Sequence, residues 1–422
     1  MVSTSSYRFA EAKYTADSVT DRGPLPVSER VLTLDVLRGI AVGGILLANI
    51  IVFFGLTFLS HAQVDALSAT TADQAALWFE HVFIDQKFYS VFSLLFGIGF
   101  GIQLSRGGEA ALPRFRRRLR ILLAIGAIHA FFIWAGDILM LYALLGFTLP
   151  WFARKSDRDL VRWAAILLAT PTVLYALVLI AWMATGQRAG TPNSGVPAQI
   201  FAFFEAIGRG GIKDAFVGNL VFLAGRWADL FVTVRFPKVL GMFVIGLWSV
   251  RKGIATAPAN HRTMLARWAT VGWIIGLPAN IAAAWVFTRS QYLPPNVGGF
   301  IGTVLQGVGV PMLALGYATT IALIVIDGWR LITMFAPVGR MALTNYLMHS
   351  LICVTLSYGF GFGMWWHTGP AKAMAIAVAI IAVQIPLSAL WLSHFRYGPV
   401  EWVWRRLTYR RPIALRIDPA TS

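Results

Sequence analysis

The sequence predicts an all-α, polytopic transmembrane helical bundle of about ten spans with both termini in the cytoplasm, and three observations carry that expectation. Hydrophobic residues make up 57% of the 422-residue chain and charged residues only 13%, far below the roughly one quarter of a soluble domain. The solvent must be largely lipid. Apolar runs close to the twenty or so residues that cross a hydrocarbon core recur along the chain, and strand-length alternation of the barrel type is absent. The basic residues stand between those runs, as topology determinants do.

Residues 1–29 are polar, rich in Ser and Thr, and lack an apolar core, so they read as a disordered cytoplasmic tail rather than a signal peptide. A single transmembrane domain is expected over 30–410, with an N-terminal part, 30–235, a C-terminal part, 236–410, and a cytoplasmic tail, 411–422. Spans are expected over 34–57, 83–104, 119–136, 138–153, 161–184, 236–250, 268–287, 301–326, 341–360 and 373–395. The segment 199–235 sets Phe201, Phe203, Phe204, Phe216, Phe222 and Phe231 among Arg209, Lys213, Arg226, Asp229 and Arg235. That mixture fits an interfacial or re-entrant element better than an eleventh span.

Orientation is set by the arginines. Arg106, Arg114, Arg116, Arg117, Arg118 and Arg120 crowd one connection, whereas 58–82 has no Lys or Arg, so the first is assigned to the cytoplasm. The net charge of +17 is spread over such connections and forms no basic stripe with interleaved aromatics, which argues against a nucleic-acid partner. Gly39 with Gly43, and Gly97 with Gly101, mark faces where helices approach closely. Cys353 is the only cysteine and is expected to be a small buried hydrophobe.

Polar residues inside spans are expensive and need a partner or a purpose. Asp35 and Arg38 share a face of the first span, as an ion pair or as an anion-binding group at the inner mouth. Asn49 lies further along it. Lys87 sits near the outer end of the second span. His129 and Asp137 are eight residues apart, about 12 Å of continuous helix, so Asp137 is expected to pair with Lys87 instead. Asn345 and His349 share a face of the ninth span, with Arg340 at its mouth. Two polar layers result: Asp35, Arg38, Arg340, Asn345 and His349 inside, and Asn49, Lys87, His129 and Asp137 outside. No phosphate loop, zinc-type spacing, nucleophile elbow or dinucleotide fingerprint competes with them.

The run Leu34-Asp35-Val36-Leu37-Arg38-Gly39 with Asn49, then Lys87-Phe88-Tyr89-Ser90-Val91-Phe92-Ser93-Leu94-Leu95-Phe96-Gly97, then His129 with Gly136-Asp137-Ile138-Leu139 and Tyr142-Ala143, resembles the YeiB-like family of bacterial membrane proteins. Gly339-Arg340-Met341-Ala342-Leu343-Thr344-Asn345-Tyr346 and Phe395-Arg396-Tyr397-Gly398-Pro399-Val400-Glu401-Trp402 resemble the domain of unknown function that ends those proteins. The resemblance implies kinship with a transmembrane acyltransferase superfamily. That group includes the lysosomal heparan-α-glucosaminide N-acetyltransferase, which passes an acetyl group from cytosolic acetyl-CoA to a sugar amine. The shared D-x-x-R-G start falls on Asp35, Arg38 and Gly39, and its downstream Asn on Asn49. The lysosomal enzyme's functional His has no matching motif around Ser60-His61-Ala62.

The resemblance and the two polar layers together lead us to expect an inner-membrane acyltransferase without a permanently bound cofactor or metal. Acyl-CoA would be the donor, and an envelope glycan, lipid or small molecule the acceptor. Arg38 and Arg340 would hold donor phosphates, with Asp35, Lys87 and Asp137 completing the binding groups. Asn49 and Asn345 would polarise the thioester carbonyl, and His129, or else His349, would serve as general base. A transporter or channel without covalent chemistry is the competing expectation.

Overall fold

The computed structural model describes residues 31–59, 61–68, 70–186, 198–290 and 292–417. The expected N-terminal tail lies outside them. Among the described residues the chain is helical without a strand, and one isolated bridge joins Phe395 and Arg416. Helix α1 (Leu32–Phe53) leads to two short helices, α2 (His61–Leu67) and α3 (Thr71–Phe79), and a π-helical turn at Glu80–Ile84 feeds α4 (Lys87–Gly107). Next come α5 (Leu112–Phe132), the short α6 (Leu139–Gly146) and α7 (Leu149–Phe152), and α8 (Asp157–Ala184). They are followed by α9 (Ala198–Arg209), α10 (Ile212–Val232) and α11 (Arg235–Arg251). The C-terminal part holds α12 (Arg262–Phe287), α13 (Val297–Ile326), α14 (Arg330–Thr333), α15 (Ala336–Arg340), α16 (Ala342–Ser357), α17 (Pro370–His394) and α18 (Pro399–Tyr409).

Local chemistry sets the starts. The side chains of Thr70, Ser156 and Asn296 accept from the backbone N–H of Asp73, Asp159 and Gly299, satisfying donors that a helix start leaves orphaned. Seven helical stretches are long and apolar enough to cross a membrane, one of which, Thr71–Phe132, contains α3, α4 and α5. The 17 residues of α11 and the 16 of α16 reach only about 25 Å each at 1.5 Å per residue. Every expected span overlaps one of these helices or the broken pair α6 and α7. Large apolar side chains of α8, α12 and α17, such as Ile166, Ile180, Ile274, Trp285, Val383 and Leu387, are exposed on the outside of the bundle, where they contact the lipid bilayer. Cys353 is fully buried.

Glycines set the helix neighbours. A Cβ at Gly97 would overlap the Phe243 carbonyl and one at Gly246 the Leu94 carbonyl, while Gly101 abuts Val250, so α4 and α11 lie parallel and nearly backbone to backbone. α12 and α13 form an antiparallel pair through Gly272 against Gly316 and Gly276 against Leu313. α10, though long enough to span, lies across the end of the bundle away from the arginine-rich connection. Its Asn219 bonds Ala130 and Ala135 at the end of α5, the Gly210 carbonyl ahead of it packs on Gly359, and Val232 at its other end accepts from Tyr292.

At the arginine-rich end the two sequence motifs pack on each other. Gly39 meets the Phe335 carbonyl, and Gly339 meets the Asp35 carbonyl. Glu401 of α18 caps α16, accepting from Leu343 N (2.7 Å), Thr344 N (3.0 Å) and Thr344 Oγ1 (2.5 Å). Trp404 Nε1 donates to the Arg118 carbonyl at 3.0 Å, and the Arg118 guanidinium stacks on the same ring. Residues 411–417 fold back, with Ile413 accepting from Trp402 Nε1 and Ile417 N donating to His394.

Candidate functional site

His129 lies three residues before the end of α5, where Ile133 N and Trp134 N both close on its carbonyl. The helix stops at Phe132 and the chain reverses through Ala135-Gly136, which corrects the expectation that His129 and Asp137 are a continuous helix apart. Gly136 permits the reversal because a Cβ there would strike the Trp134 ring. Asn219 of α10 pins it from outside, accepting from Ala135 N at 2.7 Å and donating to the Ala130 carbonyl at 2.9 Å.

The reversal brings Asp137 Oδ1 to 2.9 Å from His129 Nδ1, and the other ring nitrogen, Nε2, lies 2.8 Å from Ser350 Oγ of α16. Asp137 Oδ2 accepts from Met140 N at 2.7 Å, so the carboxylate acts as an acceptor at both oxygens. With a neutral imidazole the proton sits on Nδ1, which leaves Nε2 to accept from the Ser350 hydroxyl. The side chains of His129 and Asp137 are 1% and 2% exposed and Ser350 is 1% exposed, so the relay lies in a water-excluded interior. Tyr346, one turn before Ser350, packs its ring 5.4 Å from the imidazole, and its hydroxyl accepts from Ile138 N.

Lys87 is not the partner of Asp137. Its Nζ donates to the His81 carbonyl at 2.6 Å, in the π-helical turn, and its electrostatic neighbours are Asp85 and Glu80. It ties α4 to the turn that precedes it.

The remaining expected residues are not gathered in one place. Asn345 and His349 share a face as expected, and that face meets α17: His349 Nε2 lies 2.6 Å from Gln384 Oε1, and Asn345 Nδ2 donates to Ser388 Oγ (3.1 Å) and to the Val338 carbonyl (3.2 Å). With its amide hydrogens committed, Asn345 is a strut between helices and not a free donor for a carbonyl. His349 Nδ1 is buried without a partner among the described residues. At the arginine-rich end, Arg38 Nη1 donates to Asp35 Oδ1 at 2.8 Å, and Arg340 Nε finds no acceptor among the described residues. Asn49 is half-buried on α1.

Sequence reasoning missed Ser350, Asn219 and Gln384. A serine on a continuous helix has no elbow motif around it. Its only local signal is adjacency to His349, which points to another helix.

Residues 249–411 match the family described as "Protein of unknown function (DUF418)". The chain is 33% identical over 414 residues to "Uncharacterized protein YxaH" of Bacillus subtilis (strain 168), which covers 93% of this chain and 98% of that one. It is 32% identical over 401 residues to "Uncharacterized protein YeiB" of Escherichia coli (strain K12), covering 90% of this chain and 97% of the relative.

Proposed function

The chain belongs to the YeiB-like family of bacterial membrane proteins, and from that premise we propose that it is a membrane acyltransferase whose Ser350 takes an acyl group from a thioester and passes it to an acceptor. The observation that carries this reading is the hydrogen-bonded row Asp137, His129, Ser350, with its two bonds of 2.9 and 2.8 Å. These are the three roles of nucleophile, base and orienting carboxylate, recognised by geometry and not by chain order.

In the first half-reaction Ser350 Oγ attacks the thioester carbonyl while His129 Nε2 takes the hydroxyl proton. The C–S bond breaks, the thiolate leaves and receives that proton, and the acyl group remains as an ester on Ser350. In the second, an acceptor hydroxyl or amine loses its proton to His129 and attacks the ester, and Ser350 leaves and recovers the proton. Asp137 holds the tautomer and stabilises the imidazolium in both halves. A covalent carrier suits a donor and an acceptor that approach from opposite faces, since the two never have to meet.

The arginine-rich end would face the cytoplasm of a bacterial inner membrane, in keeping with the positive-inside rule. There Arg38 and Arg340, each next in sequence to a glycine of the Gly39 and Gly339 contact, would bind the phosphates of an acyl-CoA. The acceptor, an envelope glycan, lipid or small molecule, would come from the far end. Passage of a solute without covalent chemistry is the second reading. It draws on the separate polar row of His349, Gln384, Asn345 and Ser388 between α16 and α17, which contains no activated nucleophile.

Comparative mass spectrometry of envelope lipids and glycans tests the choice, using cells with the gene, without it, and with Ser350→Ala. The expected result is one acyl modification missing from both the deletion and the variant. Unchanged acylation with an altered distribution of an unmodified solute supports transport instead.

A further inference from the structure

At the far end of the bundle the starts of α4, α11 and α13 and the end of α12 enclose a polar cavity of about 230 Å³. Its lining includes Asp85, Arg235, Lys238, Asn280, Tyr292 and Gln306. Of the charged groups there, Lys238 and Asp85 have no ion pair with a described residue, and the guanidinium of Arg235 shares one carboxylate with Arg226. Arg235 Nη2 lies 3.4 Å from Asp229, which also takes Arg226 at 3.0 Å, and Asp85 accepts from the Gln86 amide at 3.0 Å. Lys238 is 8% exposed, and it has no hydrogen bond or ion pair with any described residue. Arg235 and Asp85 act on it only at longer range. A buried ammonium without an ion pair is expensive, so an anion entering the cavity would stabilise it.

The neutral lining is suited to the same guest. Asn280 gives one of its two amide hydrogens to the Gly276 carbonyl at 2.7 Å, which leaves the other for a ligand oxygen. Gln306 bonds to no described residue and keeps both a donor and an acceptor free.

We propose that this cavity binds a monoanion carried as a phosphate or a carboxylate, with Lys238 as its counter-charge and Arg235, Asn280 and Gln306 around it. The proposal stands whether or not Ser350 performs acyl transfer, because none of these residues touches the relay. The anion is a free small molecule or the headgroup of a lipid in the far leaflet. The chemistry is shared, and the sources separate in the test.

Purified protein in a neutral detergent is titrated at constant ionic strength with sodium phosphate against chloride, and with dioctanoyl phosphatidylglycerol against dioctanoyl phosphatidylcholine, reading Tm. A ligand that binds only the folded state raises Tm saturably. The expected result is such a rise with phosphate, with phosphatidylglycerol, or with both. A rise with phosphate assigns a free anion, and one with phosphatidylglycerol alone assigns a lipid. Lys238→Gln should raise the half-saturating concentration at least about tenfold, and Lys238→Arg should stay within about threefold of the native protein. If Lys238→Gln does not fold, Gln306→Leu replaces it and should weaken the response at least about threefold. The proposal is overturned if no anion exceeds its control, if the variant responds as the native protein does, or if Arg116→Gln at the opposite end removes the response.

Discussion

Ser350→Ala and His129→Gln are each expected to lower acyl transfer by about a thousandfold or more, and the double variant to be no slower than either alone. A nucleophile and its base act as one unit, so removing the second member after the first removes nothing further. Asp137→Asn should fall in the same range, because an amide donating to Nδ1 would turn the other nitrogen into a donor and leave the Ser350 hydroxyl without an acceptor. The folded state should lose only about 1 to 3 kcal/mol in Ser350→Ala, which leaves the buried Nε2 of His129 without a donor. Steady-state release of free thiol from acyl-CoA, beside a thermal melt of the same sample, separates the two effects. A variant that melts early and still turns over marks the row as a packing device. If Ser350→Ala keeps its rate while His129→Gln loses it, His129 activates the acceptor directly and no acyl-serine forms.

The second large effect concerns the arginine-rich end. Gly39→Ala would press a methyl group onto the Phe335 carbonyl, and Gly339→Ala would do the same to the Asp35 carbonyl. Backbone cannot swing aside as a side chain does, so each should destabilise by about 3 kcal/mol or more, the upper end of overpacking costs. Gly43→Ala, one turn along the same helix, meets only the flexible end of Ile381, whose Cδ1 would lie 3.3 Å away. Gly99→Ala has open space around it and should be neutral or slightly stabilising. Size-exclusion profiles of detergent extracts read the outcome: little or no monodisperse protein for Gly39→Ala and Gly339→Ala, near-native amounts for the other two. Equal yields from all four would mean that the motif glycines do not hold α1 against α15.

The helices are legible in the sequence because lipid makes a simple demand. Every backbone polar group must bond within its own segment, so apolar length alone locates a span, as it does for α1, α8, α12, α13 and α17. The amphipathic mixture of 199–235 points to an interfacial or re-entrant element, whereas α10 is by length and composition one of the helices able to span. The functional row is legible only in part. His129 and Asp137 stand out as costly residues, yet their pairing is hidden because it depends on where α5 ends, and the signal for that end is a small residue, Gly136, packed under the Trp134 ring. Ser350 is hidden for a different reason. Its partner is 221 residues away, and a serine in a span carries no energetic penalty large enough to draw notice. Lys87 defeats sequence reasoning because equal depth on consecutive spans says nothing of rotation about the helix axis, and its Nζ turns to the His81 carbonyl.

The most direct measurement is of the acyl-serine itself. Purified protein is mixed with acyl-CoA donors of short and long chain in the absence of any acceptor, quenched in acid and digested, and the peptide carrying Ser350 is weighed. The expected result is an added acyl mass on that peptide, located at Ser350, that is absent from His129→Gln and disappears when acceptor extract is supplied. A Ser350 peptide of unmodified mass with every donor, from a protein that still transfers acyl groups, would contradict it.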